Sequence, residues 1–474
     1  MEKYLKHIHL ILLFLFGTLF IFIAFYFDGT ADTGDSLTHF MISKYAFKTP
    51  YLFFFHWGKP FFTFLSAPFS QFGFIGIKFF NITIALLTGL FTYKITIELK
   101  LKRAWLVLPF IYCAPLYFIN IFSGLTEPLF GLLTIVGIYL IMTNNIYESL
   151  LLISFLPFVR SEGLIIIGIF GLYLLYKKMY KWIPLLAVGH IIYTLLGVVL
   201  DGRNILWVFN KIPYATLNNV YGSGRIRHFF IKYIYVIGVP LLILFCLGLI
   251  LFLISLFSKK QRTQADFPIK SILIYGSFIS YFMAHVVFWK LGIFASFGLI
   301  RVMVAIVPLS AIISLEGFNF IFNQQWIKNK LLLNILSIMM IGYVFIFPFT
   351  KTPSSIDWQS DLSETTDQKL INQVAEYIHS NFPNHNVLYY THPYISIAFD
   401  NNHYDEREHL FMNQLSLKKG INKNELIIWD EWYTVVDEGI ELEDLNNNDN
   451  FEMVKSFTKN DGYNVRQFVV FKHK

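Results

Sequence analysis

Between residues 8 and 349 the chain is a succession of long apolar runs separated by short polar joints. A helix that crosses a bilayer needs roughly 20 mostly apolar residues. Runs of that kind fall near 8–27, 72–98, 104–122, 126–143, 147–159, 162–176, 182–200, 229–257, 269–289, 292–315 and 329–349. They predict an α-helical polytopic membrane protein with about 11 transmembrane helices. The fifth and sixth runs are short, and a re-entrant hairpin is the alternative for that pair. The first run is read as a span rather than a cleaved signal peptide, because its apolar core is long and Phe and Tyr occupy its end. Soluble domains usually carry about 25% charged residues. Here 15% are charged and 55% hydrophobic, which excludes a cytosolic globular enzyme and a disordered chain.

The basic residues gather in the joints. Lys3 and Lys6, then Lys100, Lys102 and Arg103, then Lys177, Lys178 and Lys181, then Lys259, Lys260 and Arg262, then Lys328 and Lys330 all fall on one side if there are eleven spans. Cytoplasmic loops carry the excess of Lys and Arg, so the N terminus is expected inside and the C-terminal tail outside. Residues 1–349 hold 27 Lys+Arg against 11 Asp+Glu, whereas residues 350–474 hold 11 against 20. A basic membrane body, 1–349, is therefore followed by an acidic soluble extracytoplasmic domain, 350–474. The basic surplus belongs to short cytoplasmic loops and does not point to nucleic acid. In the tail, Asp367–Phe382 reads as an amphipathic helix and Val387–Tyr390, Leu426–Trp429 and Arg466–Phe471 as strands of a small α+β domain. Its histidines, His379, His385, His392, His403 and His409, are scattered and read as surface residues. Cys113 and Cys246 lie in apolar runs and read as small core hydrophobes.

Acids are few in the body, so each needs a reason. Glu2, Glu148, Asp266 and Glu316 read as solvated charges of inner loops. Asp28, Asp32, Asp35, Glu127, Glu162 and Asp201 all fall at or near the outer face. A transporter would place carboxylates near the bilayer midplane, whereas acids at the outer rim suit chemistry at the membrane surface. Asp28-Gly-Thr-Ala-Asp32-Thr-Gly-Asp35-Ser-Leu-Thr-His39 opens the first outer loop, 28–71, whose aromatic stretches Phe40–Phe47 and Tyr51–Phe55 suit interfacial helices. These acids are candidates for a general base or, with His39, for a metal ligand; the bland alternative has Asp35 capping a helix that starts at Ser36. His56-Trp-Gly-Lys59-Pro60 places a cation in an aromatic setting, where it either pairs with a lipid phosphate or snorkels. Glu127, beside Pro128, also makes a favourable helix start. Arg160 and Glu162 interrupt an apolar run and are free to pair with each other. Arg301 lies inside the tenth run and needs a cavity or a partner. There is no GxxxxGK[ST] loop, no GxGxxG after a strand, no HExxH and no Cys/His pair at zinc spacing, which argues against a nucleotide-driven pump.

This arrangement resembles the GT-C membrane glycosyltransferases. Asp35 falls where that group has its loop-one acid. His56-Trp-Gly-Lys59-Pro60, running into Phe61-Phe-Thr-Phe-Leu-Ser-Ala-Pro, is similar to the Lys-Pro-Pro stretch of glycosyltransferase family 39, with Phe61 in place of the second proline. Thr126-Glu127-Pro128-Leu129-Phe130 and Arg160-Ser-Glu162-Gly163 are similar to stretches of the mannosyltransferases of the glycosylphosphatidylinositol pathway. The family often has Asp-Glu in loop one, where this chain has Asp35-Ser36. The resemblance covers about residues 1–315. It implies inverting transfer of a mannose-like sugar from a polyprenyl-phosphate donor to a glycan, lipid or protein acceptor at the outer face of the membrane; the abundance of Lys, Asn, Ile and Phe fits an AT-rich bacterial genome, and so a bacterial inner membrane. It implies Asp35 as base with Asp32 beside it. Lys59, Arg301, Arg225 and Arg227 would hold the donor phosphate. His39, His56, Glu127, Arg160 and Glu162 would line the substrate site. No cofactor is required in that group and a divalent metal is optional. The rival readings are a polytopic lipid or glycan transporter or flippase, and a non-catalytic membrane scaffold with an outer binding domain, which leaves the clustered loop-one acids unexplained.

Overall fold

In hydrocarbon every backbone N–H and C=O must be satisfied within the protein, so a long apolar run has little alternative to helix. The computed structural model describes residues 7–210, 222–322, 330–352, 354–358, 360–460 and 465–474. Glu2, Lys3, Lys6, Lys211 and Lys328 lie outside the described residues. Seven helical segments among the described residues are long and apolar enough to cross a membrane: Ile8–Tyr26, Phe74–Glu98, Tyr180–Asp201, His228–Phe257, Ile269–Leu291, Ile300–Phe322 and Lys330–Phe349. Glu127–Met142, Ile146–Phe158 and Gly163–Tyr176 are shorter apolar helices. The third expected run is broken into Val107–Tyr112 and Pro115–Asn120, because a proline has no N–H for the ladder and its ring clashes with the preceding turn. The tenth begins only at Ile300, after an irregular stretch from Gly292. His228–Phe257 is also interrupted, by Gly238 at φ 78° just before Pro240.

The helices sort by what they touch. Ile8–Tyr26 buries Phe16, Phe20, Ile23 and Ala24 but leaves Phe14, Phe22 and Phe25 largely exposed. In a membrane such exposed apolar side chains face lipid. The Val307–Phe322 helix is the enclosed one, packed against His228–Phe257, and nearly every side chain along it is buried. That enclosure corrects the reading of Glu316. It is a member of this helix, 9% exposed, with its carboxylate 2.8 Å from Lys270 Nζ and accepting from Tyr275 Oη at 2.7 Å. A charge at such a position requires partners. Cys113 is buried, whereas Cys246 is exposed on its helix.

At one end of the bundle the first inter-span loop forms a turn at 29–34, the Asp35–Tyr45 helix, a short 3-10 stretch at Pro50–Phe54 and the Pro60–Ser70 helix. The C-terminal region folds against this loop as a five-stranded mixed sheet in the order β2-β1-β3-β5-β4. The strands are β1 (Leu388–Tyr389), β2 (His409–Leu410), β3 (Leu426–Asp430), β4 (Phe451–Asn460) and β5 (Val465–His473). β1 runs parallel to β2 and β3, and β5 runs antiparallel to β3 and β4. Side chains alternate across a strand. Leu426 and Ile428 pack under the Thr366–Asn381 helix, while Ile427 and Trp429 pack on the opposite face with Ile440 and Leu445. That helix starts with a reciprocal capping box between Thr365 and Gln368.

The tail histidines are not all surface residues. His392, His403 and His409 are 1%, 9% and 3% exposed. Each has a polar partner that makes burial tolerable: His392 Nδ1 accepts from Tyr394 N, His403 Nδ1 meets Ser396 Oγ, and the two ring nitrogens of His409 meet the carbonyls of His403 and Tyr390.

Candidate active site

The acid turn is built by its own side chains. Asp32 Oδ1 accepts from the N–H groups of Gly34 and Ser36, both at 3.0 Å. These are among the N–H groups that a helix start leaves without a partner. The capping duty expected of Asp35 therefore falls to Asp32. Asp35 is itself the first helical residue, Gly34 is the cap position, and no side-chain cap bond is made there. Ser36, fully buried, donates to Thr30 O at 2.9 Å and accepts from Gly124 N at 2.7 Å. Gly124 has to be glycine, since a Cβ there would run into the Ser36 carbonyl.

Arg301, in the 3-10 turn that opens its span, reaches across with one guanidinium nitrogen on Asp32 Oδ2 and another on Asp35 Oδ2. Its Nε stands 4.0 Å from Glu127 Oε1. Glu127 begins the Glu127–Met142 helix, is 1% exposed, and receives Arg160 Nη1 at 2.7 Å. Arg160 also bonds Glu162 at 2.8 Å and Thr126 Oγ1 at 3.3 Å. Glu162 is 3.5 Å from His285 Nε2, a residue that sequence reading did not single out. Its position within an apolar run at Ala284-His285-Val286 was the available signal. Arg160 and Glu162 do pair, but as the inner end of a chain that runs Asp35, Arg301, Glu127, Arg160, Glu162.

Lys59 joins this chain electrostatically, with Glu162, Arg160, Asp35 and Glu127 as its charged neighbours. It is 8% exposed and holds a left-handed backbone at φ 58°, which is uncommon for a side chain of this kind and marks a held position. Burial pushes its ammonium down to about 8, against the pull of the nearby carboxylates. His39, also buried, lies among Lys59, Arg301 and Arg160, and burial with these cations holds it well below its usual value. Three cations thus face four carboxylates.

Several buried polar atoms here have no hydrogen-bond partner among the described residues: His39 Nδ1, Glu127 Oε2, Arg160 Nε and Arg301 Nε. Orphaned buried polar atoms are rare and call for an explanation such as a ligand. Asp32 has both oxygens engaged, whereas among the described residues Asp35 is bonded through one oxygen, and its side chain is 38% exposed. Among the described residues, no three His, Cys, Asp or Glu side chains come together as metal ligands, and Arg301 occupies the position between the two aspartates.

Two expected groups lie elsewhere. His56 packs into an aromatic cluster, tilted 5.4 Å from the Trp207 ring and edge-on 5.8 Å from Tyr193. Arg225 and Arg227 line a surface pocket with Phe230 and Lys290, and among the described residues the acid chain's ion pairs are made by Arg301 and Arg160 instead.

No family model matches the sequence, and no curated protein matches it. Among solved structures the chain is similar to ArnT from Cupriavidus metallidurans bound to undecaprenyl phosphate, with a TM-score of 0.60 at 9% identity over 98% of this chain and 97% of that one. It is also similar to the apo state of the same protein, with a TM-score of 0.56 at 10% identity and the same coverage. At that identity the likeness establishes the fold, and it does so along the whole chain, tail domain included.

Proposed function

We propose that the protein is a GT-C glycosyltransferase that moves a mannose-like sugar from a polyprenyl-phosphate donor to a glycan, lipid or protein acceptor. The observation that carries this is the ion-paired chain of Asp35, Arg301, Glu127, Arg160 and Glu162 beside Lys59, reachable at Asp35 and enclosed at Glu127, set at one end of the bundle. A phosphate leaving group and an activated hydroxyl need such a pairing of cations with one reachable carboxylate. The undecaprenyl phosphate held by ArnT supports a polyprenyl phosphate as the lipid that this fold takes.

In this reading Asp35 removes the proton from the acceptor hydroxyl. The acceptor oxygen attacks the anomeric carbon from the face opposite the phosphate, the bond from that carbon to the phosphate oxygen breaks, and configuration inverts. The released lipid phosphate takes up the negative charge, which Lys59 and Arg301 stabilise. Arg301 bridges both aspartates before the donor arrives. A donor phosphate seated beside Lys59 competes for that guanidinium and leaves Asp35 free to act, so the base is ready only when there is something to transfer. Asp32 stays committed to the turn. Arg225 and Arg227 stand outside this constellation and are left to bind lipid or acceptor charge at the surface. The basic joints support an N terminus in the cytoplasm and a site at the outer face of the membrane; a bacterial inner membrane is part of the same proposal.

The test is purified protein in lipid nanodiscs with a panel of polyprenyl-phosphate sugars and a membrane extract as acceptor, read as sugar transferred and lipid phosphate released. Transfer from one donor supports the reading. Transbilayer movement of a labelled lipid with no transfer from any donor would replace it with the flippase.

A further inference from the structure

We infer that the C-terminal domain supplies a positioning residue to the reaction: Tyr433, whose hydroxyl holds the acid-bearing turn of the membrane domain in place. This rests on the glycosyl-transfer reading, but the contact itself does not.

Tyr433 Oη donates to Thr33 O at 3.2 Å, across 400 residues of sequence. Thr33 sits between Asp32 and Asp35. The approach is close enough to constrain the next residue, because a Cβ on Gly34 would stand 3.0 Å from the same oxygen. Tyr433 is itself fixed from below. Asp430, 1% exposed at the end of β3, accepts through Oδ1 from the N–H groups of Trp432 at 3.1 Å and Tyr433 at 2.6 Å, and through Oδ2 from Thr434 Oγ1 at 2.8 Å. A carboxylate in a domain core is costly unless its bonds are complete, and three of them here serve the turn that presents Tyr433. The ring of His392 packs edge-on against Tyr433, 4.7 Å between centres.

The rest of the acid turn is held by the same domain. Gly29 N donates to Leu362 O at 2.9 Å, and the fully buried Gln368 donates to Thr30 Oγ1 at 3.0 Å. Leu37, two residues beyond Asp35, is buried in the tail's hydrophobic core with Leu370 and Ile371. The body holds the turn from the other side, through Arg301 on the two acids and Gly124 on Ser36. The two aspartates thus lie between two bodies, and Tyr433 grips the peptide between them. Loss of its hydroxyl frees the 33–34 peptide to rotate while the packing of the ring is kept. Small displacements of catalytic groups are costly in rate.

The test uses the full chain in nanodiscs. Tyr433→Phe should lower kcat roughly tenfold, leave the donor KM within about twofold, and leave the thermal unfolding midpoint unchanged. Asp430→Asn, which keeps an acceptor for the two N–H groups, should do less than Asp430→Ala. Amide exchange in residues 29–37 should quicken in Tyr433→Phe with no change in the Val307–Phe322 helix. An unchanged kcat in Tyr433→Phe would overturn the inference, as would a fall in kcat that only tracks a lower unfolding midpoint. If the wild-type protein transfers no sugar from any donor, the functional reading fails separately. The exchange measurement then still decides the contact, and unchanged protection at 29–37 would overturn it.

Discussion

Asp32 and Asp35 are three residues apart and do different work, because the turn between them consumes one and exposes the other. Asp32 ties down two backbone N–H groups and Arg301, while Asp35 keeps one oxygen open. Which acid caps the helix was not legible in the sequence, since either spacing permits it; only the backbone of Gly34 decides. Lys59 was legible as a cation in an aromatic setting, but its burial was not, because that depends on the Pro60–Ser70 helix folding back on the Asp35–Tyr45 helix. The burial has a consequence for pH. With its ammonium pushed down to about 8, Lys59 keeps its charge at neutral pH and loses it as pH rises through that value. Donor KM should therefore climb above about pH 8 in the wild-type protein and stay flatter in Lys59→Arg, whose guanidinium remains charged. A parallel rise in both would move the effect to another group. Lys59→Ala should weaken donor use roughly ten- to a hundredfold, and wild-type kinetics in that variant would leave Lys59 a packing role.

The elements that position the site are held by single polar contacts between helices. Ser36 links the Asp35–Tyr45 helix to the stretch ahead of Glu127 through Gly124 N. Ser36→Ala leaves that buried N–H without a partner and should cost about 1–3 kcal/mol of stability, read as a lower thermal midpoint in detergent. An unchanged midpoint would mean the N–H finds water. Most helices could be read from apolar length alone, because a bilayer gives a long apolar segment few alternatives. The exceptions share a cause in local chemistry: Pro115 broke one run, and Gly238 interrupts another. Glu316 looked like a loop residue because its partners, Lys270 and Tyr275, come from a helix about forty residues earlier in the chain. In the tail the helix and three strands were legible from their periodicity. The long β4 was not, because only its Phe451 and Phe457 are fully buried and, apart from the half-buried Val454, its remaining side chains are polar or exposed.

At the scale of the molecule, the tail domain and the membrane body meet on the acid turn, so the state of one should be felt in the other. His392 and His403 protonate near 6.5 when unfolded, but burial holds both to about 3 in the folded domain, and His409 is lowered in the same direction. Between those values the unfolded chain binds more protons, so tail stability is full above pH 6.5 and falls as pH drops, by roughly 1.4 kcal/mol per unit each for His392 and His403. Asp430 works the other way, since burial pushes its carboxyl up to about 6, and it offsets part of the loss. Exchange or limited proteolysis of the full chain should show the tail loosening between pH 7 and pH 5 while the spans hold. Equal protection at both values would contradict the burial of these rings. The orientation is read directly by placing a cysteine at Lys474, which a membrane-impermeant thiol reagent should reach in intact cells; labelling only after lysis would put the site on the cytoplasmic side.

Turnover by Asp35→Asn, with the donor that the wild-type protein uses, tests whether Asp35 is the base of a sugar transfer from a lipid phosphate. The change is nearly isosteric and leaves the Asp32 bonds to the turn intact. Removing a general base costs about 10²–10⁴ in rate, so Asp35→Asn should bind the donor and fall by that factor in kcat, with Asp32→Asn losing less. Turnover in Asp35→Asn above about half of the wild-type value would contradict the claim. A dead Asp32→Asn beside it would move the base to Asp32.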